Sequence, residues 1–355
     1  MINIEFAKEA KEKLPSGVWN YLVGGSEDEL VLRRNRHAFQ SWSFLPRVLI
    51  CVSQLDLQKT FLNIPLKLPI IAGPVGGLVK MHQEGDIEWA RGLDEAGILG
   101  TISGVARISP EEIMQASQAT LLYQLYVYGD DTWVRDKVQM AESCGYKAIV
   151  VTVDSPYYGQ RERDVLAGYD PRNVGWRTAV NPPDRRCIQR LDWDWIQRIQ
   201  SHTSLPVVLK GLVHPEDAKT ASKLSIAAIW ISNHGGRQLD HSLPTLEVLE
   251  RIAPTCRKFS MPIVFDGGIR RGADVLLALL LGADVVAVGR LPIFGLAVDG
   301  ASGIKTVFDN LENELRTAMG MVGLTSLSFK YNDFQDRLVR RDDPPLSTRW
   351  DKIEK

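Results

Sequence analysis

The sequence is poor in cysteine, and its four cysteines are far apart. Cys51, Cys144, Cys187 and Cys256 form no C-x-x-C pair, so the spacing typical of zinc sites and dithiol redox motifs is missing. Isolated thiols of this kind are typical of reduced, mostly buried side chains in a cytosolic protein. We therefore expect no metal site and a cytoplasmic location.

The sequence also lacks an excess of charge of either sign. In 355 residues, 42 lysines and arginines face 43 aspartates and glutamates. Such a balance gives no general attraction to nucleic acid or to an anionic membrane surface. No apolar run reaches the roughly 20 residues of a transmembrane helix, and the first residues lack the basic and apolar stretches of a signal peptide. We expect neither nucleic acid nor a membrane as a partner.

What the sequence does contain is a regular alternation of β-rich runs and helix-like stretches. Eight strands that alternate with helices predict parallel βαβ units, and eight is the number that closes a (β/α)8 barrel. An open, doubly wound sheet is the alternative, but no G-x-G-x-x-G motif follows the first strand. We expect an α/β TIM barrel in a single domain. The predicted strands span residues 69–72, 98–103, 121–127, 147–153, 206–210, 226–232, 262–266 and 284–288.

The barrel accounts for only part of the 355 residues. Residues 1–67 are predicted to form a helical and irregular entry segment, residues 68–328 the barrel, and residues 329–355 a C-terminal tail. A long stretch rich in glycine and proline interrupts the alternation after the fourth strand. Because loops of this length in compact domains are usually binding loops or lids, we interpret residues 155–190 as a lid.

Polar residues recur where the predicted strands end. His234 and Arg237 follow the sixth strand and are separated by two glycines, which let the backbone bring both side chains toward one point. Taken alone, they also fit a capped strand end with a solvated histidine and arginine. However, Gln124, Asp154 and Lys210 occupy similar positions on other strands. Because the carboxyl ends of all barrel strands open on one face, this pattern predicts an active site there.

Glycine-rich turns follow the seventh and eighth strands. Gly267, Gly268 and Gly289 stand beside Arg270 and Arg290. Exposed backbone N–H groups at such turns, together with a helix N-terminus and arginines, form an anion-binding site. Tight turns without a ligand are the alternative. TIM barrels commonly bind phosphate at this position, so we predict a phosphate site.

These motifs, in this order, resemble the FMN-dependent L-2-hydroxy-acid oxidases and dehydrogenases, the group that contains glycolate oxidase and lactate oxidase. The resemblance runs from about residue 7 to about residue 328. It is carried by residues 13–15, 21, 25–28, 123–128, 152–154, 161, 209–211, 232–240, 266–272 and 289–290.

The resemblance implies that FMN is the cofactor. Lys210 would stabilise negative charge at the pyrimidine edge of the flavin. Asp266, Gly268, Arg270, Gly289 and Arg290 would hold the ribityl phosphate. The full set of implied cofactor residues is Pro74, Val75, Gly76, Ser103, Gln124, Thr152, Lys210, Ser232, Asp266, Gly267, Gly268, Arg270, Gly289 and Arg290.

The resemblance also implies a substrate site for an L-2-hydroxy acid. Arg161 and Arg237 would bind its carboxylate with help from Tyr21. Tyr126 would bind its oxygen. The catalytic base would be His234, with Asp154 stabilising the imidazolium. The product would be a 2-oxo acid, and O2 (giving H2O2) or another acceptor would reoxidise the flavin. Relatives are commonly tetramers, so a homotetramer is expected.

Three positions depart from the usual pattern of these relatives. Gly76 stands where they often carry alanine, Val105 replaces a bulky aromatic residue, and Tyr158 replaces an aliphatic one. We therefore expect a substrate larger than glycolate. Two alternatives remain open: the same chemistry on a specialised biosynthetic intermediate, such as a 2-amino or carrier-linked acid, and a non-catalytic FMN-binding scaffold.

Overall fold

The computed structural model describes residues 1–169, 185–329, 331 and 333–354. Eight parallel strands close into a barrel, which confirms the predicted fold. Each barrel strand pairs with its neighbour in chain order, and the last pairs with the first. The barrel strands are β4 (Ile70–Ala72), β5 (Gly100–Ser103), β6 (Leu121–Leu125), β7 (Ile149–Thr152), β8 (Val207–Leu212), β9 (Ala228–Ile231), β10 (Ile263–Phe265) and β11 (Val285–Val288).

Helices surround the barrel, and three further helices precede it in the chain. As predicted, the first residues form short helices, and the first two are separated at Pro15. The helices are α1 (Asn3–Lys13), α2 (Ser16–Val23), α3 (Leu30–Gln40), α4 (Gly85–Ala96), α5 (Pro110–Ala116), α6 (Asp131–Ser143), α7 (Glu162–Leu166), α8 (Arg185–Gln189), α9 (Trp193–Ser201), α10 (Pro215–Lys223), α11 (Thr245–Lys258), α12 (Gly272–Leu280) and α13 (Arg290–Val322).

Several of these helices begin at capping residues that satisfy the first backbone N–H groups. Ser109 and Glu112 form a reciprocal capping box at the start of α5. Asp130 accepts a hydrogen bond from the Trp133 backbone N–H at 2.9 Å, and Asp192 caps α9 in the same way. Local sequence therefore sets where these helices start, while burial of their apolar faces holds them on the barrel.

A hairpin closes the amino end of the barrel. Strands β2 (Lys59–Phe61) and β3 (Ile64–Leu66) pair antiparallel around Leu62 and Asn63, whose φ angles are 50° and 63°. Two left-handed residues in a two-residue loop match the twist of a hairpin. Phe61 and Leu66 join the apolar cluster inside the barrel. The site must therefore open at the carboxyl ends of the strands.

Helix α13 is the one element of the described chain with the length and composition of a membrane span. However, 67% of its apolar 18-residue stretch is buried inside the protein. Non-helical angles at Asp299 and Gly300 also kink it. Burial and a kink are typical of a core helix that wraps around a barrel.

The predicted lid contains two short helices, α7 and α8. Its first residues, up to Tyr169, pack near the site, since the Tyr169 ring lies 6.1 Å from that of Tyr21. The remainder of the predicted lid, residues 170–184, lies outside the described residues. Strand β1 (Trp42–Phe44) pairs with β12 (Leu338–Arg340), so part of the predicted tail packs on the entry segment.

The contact between α4 and α13 gives a prediction on stability. A Cβ at Gly92 would lie 2.7 Å from Ile304 Cβ and 2.8 Å from the Ala301 carbonyl oxygen. Gly92→Ala should therefore destabilise the protein by about 1–3 kcal/mol through overpacking. Gly320→Ala is the matched control, because only Val52 lies within 4 Å of its added Cβ, at 3.9 Å. It should stabilise α13 by up to about 1 kcal/mol.

Thermal unfolding of both variants checks this expectation. The midpoint should fall for Gly92→Ala and rise slightly for Gly320→Ala. A midpoint for Gly92→Ala at or above that of the parent would contradict the packing described for α4 and α13.

Candidate active site

One cavity at the carboxyl ends of the barrel strands collects the residues singled out in the sequence. Loops after the strands and the helices α2 and α3 form its walls. Four of those residues, Asp154, Gln124, Thr152 and Ser232, do not reach its surface. The others contribute to its lining: Tyr21, Pro74, Val75, Gly76, Ser103, Tyr126, Arg161, Lys210, His234, Arg237, Asp266, Gly267, Gly268, Arg270, Gly289 and Arg290.

A histidine–aspartate pair lies at the wall of this cavity. His234 Nδ1 is 3.0 Å and 3.2 Å from the two carboxylate oxygens of Asp154. The His234 backbone is left-handed, with φ 59°, and its N–H donates to Ser232 Oγ at 3.0 Å. The chain therefore turns sharply after β9, and the imidazole is held by Asp154 through one nitrogen. The other nitrogen, Nε2, remains available to a ligand.

The charge state of this pair suits a base. Burial lowers the pKa of His234, and Asp154 opposes that shift. Burial would raise the pKa of Asp154, but His234 and Lys210 lower it by more. The result at neutral pH is a neutral imidazole beside an ionised carboxylate. An imidazole with Nδ1–H donated to a carboxylate presents Nε2 as a proton acceptor.

A tyrosine hydroxyl stands next to that acceptor. Tyr126 Oη lies 3.5 Å from His234 Nε2. Burial raises the pKa of Tyr126 well above its ordinary value, and Tyr128 and Asp154 add to the effect. The hydroxyl therefore stays protonated and can donate a hydrogen bond. A donor and a proton acceptor side by side can bind and deprotonate an alcohol group.

Two arginines converge on Tyr21. The guanidinium carbon lies 5.6 Å from the Tyr21 ring centroid for Arg161 and 4.8 Å for Arg237. Arg237 Nη1 donates to the carbonyl oxygens of Tyr21 and Gly24 at 2.7 and 2.8 Å. Arg161 Nε and Nη1, by contrast, are buried with no partner among the described residues. Because such donors cost about 1–3 kcal/mol when left without an acceptor, Arg161 is suited to an anionic ligand.

The electrostatics of the arginines favour the same kind of ligand. Burial lowers the pKa of Arg237 to about 10, and the neighbouring Arg161 contributes to the shift. Burial alone would raise the pKa of Tyr21, but Arg237, Arg161 and Lys80 lower it by more. A carboxylate bound between the two guanidinium groups would reduce the repulsion between them.

A buried network lies beneath the cavity at Lys210. Lys210 Nζ donates to Ser232 Oγ at 3.0 Å, and Ser232 Oγ donates to Asp266 at 2.8 Å. Trp230 Nε1 donates to the other Asp266 oxygen at 2.8 Å. Both oxygens of Asp266 therefore accept hydrogen bonds from barrel side chains, and its role toward the phosphate stays a prediction. Asp266 fixes Lys210 and Ser232.

A second network orients an amide in the barrel mouth. Ser103 Oγ donates to Gln124 Oε1 at 3.1 Å, and Gln124 Nε2 donates to Thr152 Oγ1 at 2.9 Å. All three side chains are buried. They lie at the ends of neighbouring strands, which explains why the sequence could place them together. Of the three, only Ser103 reaches the cavity surface.

The turns after β10 and β11 have the features of an anion site. Gly289 is the N-cap of α13, and a Cβ there would meet no atom within 4 Å. Arg290 Nη1 donates to the Val23 carbonyl at 3.2 Å. Arg270 Nη1 is buried and has no partner in the described chain. A helix N-terminus, two guanidinium groups and open space beside a glycine fit the phosphate of FMN.

The sequence did not reveal several groups that line the cavity. Arg36 reaches it from α3, where it pairs with Asp274 at 2.9 Å. Tyr128 and Ile188 form part of a small buried apolar cluster on its wall. Glu354 enters from the tail. The rule that sites lie at strand ends could not find Arg36 or Glu354, because both arrive from outside the barrel.

Two of the unusual positions are in contact. A Cβ at Gly76 would lie 2.7 Å from Val105 Cγ2 and 3.6 Å from Ser103 Oγ. Val105 is 8% exposed and packs with the apolar cluster. The isopropyl group of Val105 therefore occupies the space that an alanine methyl at position 76 would need. The two departures form one coupled feature.

Comparison with known proteins agrees with this geometry. The model of the FMN-dependent dehydrogenase family matches residues 10–334. The chain belongs to this family. Glycolate oxidase 3 of Arabidopsis thaliana is 37% identical over 341 residues, which cover 91% of this chain and 92% of that protein. A peroxisomal (S)-2-hydroxy-acid oxidase of Oryza sativa subsp. japonica is 37% identical over 338 residues, with coverage of 91% and 92%.

Solved structures show the same relation. A crystal structure of mandelate oxidase with 3,3-difluoro-2-hydroxy-3-phenylpropionic acid superposes with a TM-score of 0.86 and 35% identity. The match covers 92% of this chain and 96% of that one. The protein is thus an FMN-dependent enzyme that oxidises 2-hydroxy acids. The orphaned donors of Arg161 and Arg270 are two places where the described residues fit a carboxylate and a phosphate.

The pKa shifts at the site predict a pH dependence. Because only neutral His234 can accept a proton, the rate of flavin reduction should fall as the pH drops below the lowered pKa of His234 and be constant above it. The pKa of Tyr21 lies below its usual value. Its ionisation at alkaline pH should weaken carboxylate binding and raise KM, since negative charge then faces the arginines.

Rapid-reaction absorbance of the flavin between pH 5 and pH 10.5 measures both limbs, with roughly half-unit steps around the reference pKa values of about 6.5 and 10. Tyr21→Phe should remove the alkaline rise in KM and keep the acid limb. A rate of flavin reduction that rises as the pH falls would rule out His234 as the group that must be neutral.

The contact between Gly76 and Val105 predicts non-additive substitutions. Gly76→Ala should destabilise the protein because the new methyl group meets Val105 Cγ2 at 2.7 Å. Adding Val105→Ala removes that contact, so the double variant should be more stable than the sum of the single changes by about 1 kcal/mol or more. Thermal unfolding of the four proteins of the cycle measures this coupling. Additive shifts would show that the two positions are independent.

Proposed function

We propose that the substrate lies between the arginine pair and the histidine–tyrosine pair. Arg161 and Arg237 bind its carboxylate, because Arg161 offers two buried N–H groups without a partner and Arg237 lies against the same Tyr21 ring. Tyr126 donates to its hydroxyl oxygen, and His234 Nε2 accepts the hydroxyl proton. The observation that carries this proposal is the 3.5 Å approach of Tyr126 Oη to His234 Nε2 in the cavity that holds both arginines.

Asp154 and Lys210 have supporting roles in this proposal. Asp154 keeps His234 in the tautomer with Nε2 free and stabilises the imidazolium after proton transfer, since its carboxylate is 3.0 Å from Nδ1. When bound, FMN would supply the acceptor for the Cα hydrogen and its electron pair, so that transfer of the hydroxyl proton to His234 leaves the 2-oxo acid. Lys210, held by Ser232 and Asp266, keeps a fixed positive charge at the base of the cavity. That charge stabilises negative charge on a ligand above it.

We infer a substrate with a side chain larger than that of glycolate. Val105, Tyr128 and Ile188 form a buried apolar cluster at the cavity, with Tyr126 packed against it. A side chain placed there would gain burial of apolar surface, which a glycolate molecule cannot provide. The mandelate oxidase structure, with its phenyl-bearing hydroxy acid, supports the same direction. Aliphatic or aromatic L-2-hydroxy acids are the proposed substrates, with O2 or another acceptor.

A non-catalytic scaffold is the least favoured alternative. Arg161 has two buried nitrogen atoms without a hydrogen-bond partner among the described residues, whereas Arg237 donates to two carbonyl oxygens. A scaffold gains nothing from buried guanidinium nitrogens without hydrogen-bond partners in the cavity that also holds the His234–Asp154 pair. The same chemistry on a specialised 2-amino or carrier-linked acid remains the second candidate.

Anaerobic bleaching of the bound flavin by a panel of L-2-hydroxy acids tests the proposal. (S)-mandelate and L-2-hydroxyoctanoate should bleach the flavin at least about tenfold faster than glycolate does. Each additional methylene bound in an apolar pocket contributes about 1–3 kcal/mol to discrimination between substrates. Recovery after admission of air distinguishes O2 from another acceptor. His234→Ala should stay yellow and resist bleaching by every acid.

Each outcome has a clear reading. Faster bleaching by glycolate would contradict the enlarged pocket. A yellow protein that no free acid bleaches would favour the specialised substrate. Normal bleaching of His234→Ala would exclude His234 as the base, and a chain that binds no flavin in this assay would overturn the cofactor site proposed from Arg270 and Arg290.

We also propose that the protein is a cytoplasmic homotetramer. The resemblance supports the assembly, and the exposed apolar side chains of Leu45, Val48 and Leu49 give a surface suited to contact between copies. The free thiols of Cys51, Cys144 and Cys256 suit a reducing compartment. Light scattering should give about four times the 39.7 kDa of one chain, and Val48→Glu should lower that mass. A monomeric parent protein would exclude the tetramer.

A further inference from the structure

A short segment of the tail covers one side of the cavity. Residues Trp350–Lys352 form a single turn of 3-10 helix, and Trp350 is only 3% exposed. Its ring stacks on Phe294 with the centroids 6.4 Å apart. The guanidinium carbons of Arg270 and Arg271 lie 5.2 and 5.9 Å from the same ring. The aromatic anchor therefore sits directly beside an arginine of the proposed phosphate site.

Cations from other parts of the chain hold the residues that follow. Lys11 Nζ donates to the Ile353 carbonyl at 2.8 Å, and Arg163 Nη1 donates to the Glu354 carbonyl at 2.9 Å. Ile353 is buried, at 6% exposure. These contacts fix the backbone of residues 353 and 354 over the cavity. The direction of the Glu354 side chain is thereby set.

The Glu354 carboxylate enters the cavity and pairs with Arg270. One carboxylate oxygen accepts from Arg270 Nη2, and Glu354 lines the cavity together with Arg290. Burial lowers the pKa of Arg270 to about 10 and also lowers that of Arg290, whereas Glu354 opposes both shifts. Its negative charge is thus felt by both arginines. Glu354 therefore places a negative charge beside the two arginines that are assigned to the phosphate.

We propose that Glu354 competes with the FMN phosphate for Arg270 and so sets the affinity for the cofactor. This inference rests on the assignment of Arg270 and Arg290 to the phosphate. Two anions beside one buried guanidinium repel each other, so binding of the phosphate requires Glu354 to withdraw or share Arg270. Because the segment is tethered, its carboxylate acts at a high effective concentration. Loss of that carboxylate strengthens FMN binding.

The test compares the affinity of the whole chain for FMN and for riboflavin, which lacks the phosphate. The holoprotein is diluted at low ionic strength, and released flavin is measured by its fluorescence. Glu354→Gln should lower the Kd for FMN about tenfold and leave that for riboflavin unchanged. Asp342→Asn is the matched control, since Asp342 is an exposed carboxylate of the same tail. It should change neither Kd.

A second variant acts on the anchor and not on the charge. Trp350→Ala should release the segment and lower the Kd for FMN in the same direction. Riboflavin bound as tightly as FMN by the parent protein would overturn the phosphate site itself. A parent that prefers FMN, with a Glu354→Gln Kd unchanged or raised, would leave the phosphate site standing and overturn the competition.

Discussion

Burial of positive charge is the constraint on which this site depends. Arg161, Arg237, Arg270, Arg290 and Lys210 face one cavity and are largely removed from water. A buried cation is costly unless carbonyl oxygens, carboxylates or a bound anion compensate it. Backbone carbonyls accept from Arg237 and Arg290, and a half-buried aspartate pairs with Lys210. The donors left over belong to Arg161 and Arg270, so the fold reserves two places for anions.

The barrel was predictable because its strands are buried on both faces and read as apolar runs. The run 226–232 contains β9 (Ala228–Ile231), and the run 121–127 contains β6 (Leu121–Leu125). Both predicted runs are longer than the strands they contain, whereas β8 (Val207–Leu212) extends beyond the run predicted at 206–210. Topology then did the rest: Asp154 and His234 are far apart in sequence, yet both follow barrel strands and meet at 3.0 Å.

Contacts made across elements could not be read from the chain. Nothing in the pattern shows that Val105 fills the space beside Gly76, because this requires the relative position of two loops. The hydrogen bond from Trp230 to Asp266 was not predictable for the same reason, since it joins side chains of two elements. Arg36 reaches the cavity from a helix outside the barrel. Sequence thus located the strand-end residues, while groups arriving from other layers required the structure.

The hairpin at the amino end of the barrel restricts access to the active site to the opposite end. The side chains of Phe61 and Leu66 fill the barrel interior at that end. In the part of the chain that the structure describes, the carboxyl-end mouth therefore serves as both entrance and exit. The hydroxy acid, the oxo acid and the electron acceptor all pass through this one opening, so their binding and release must follow one another in order.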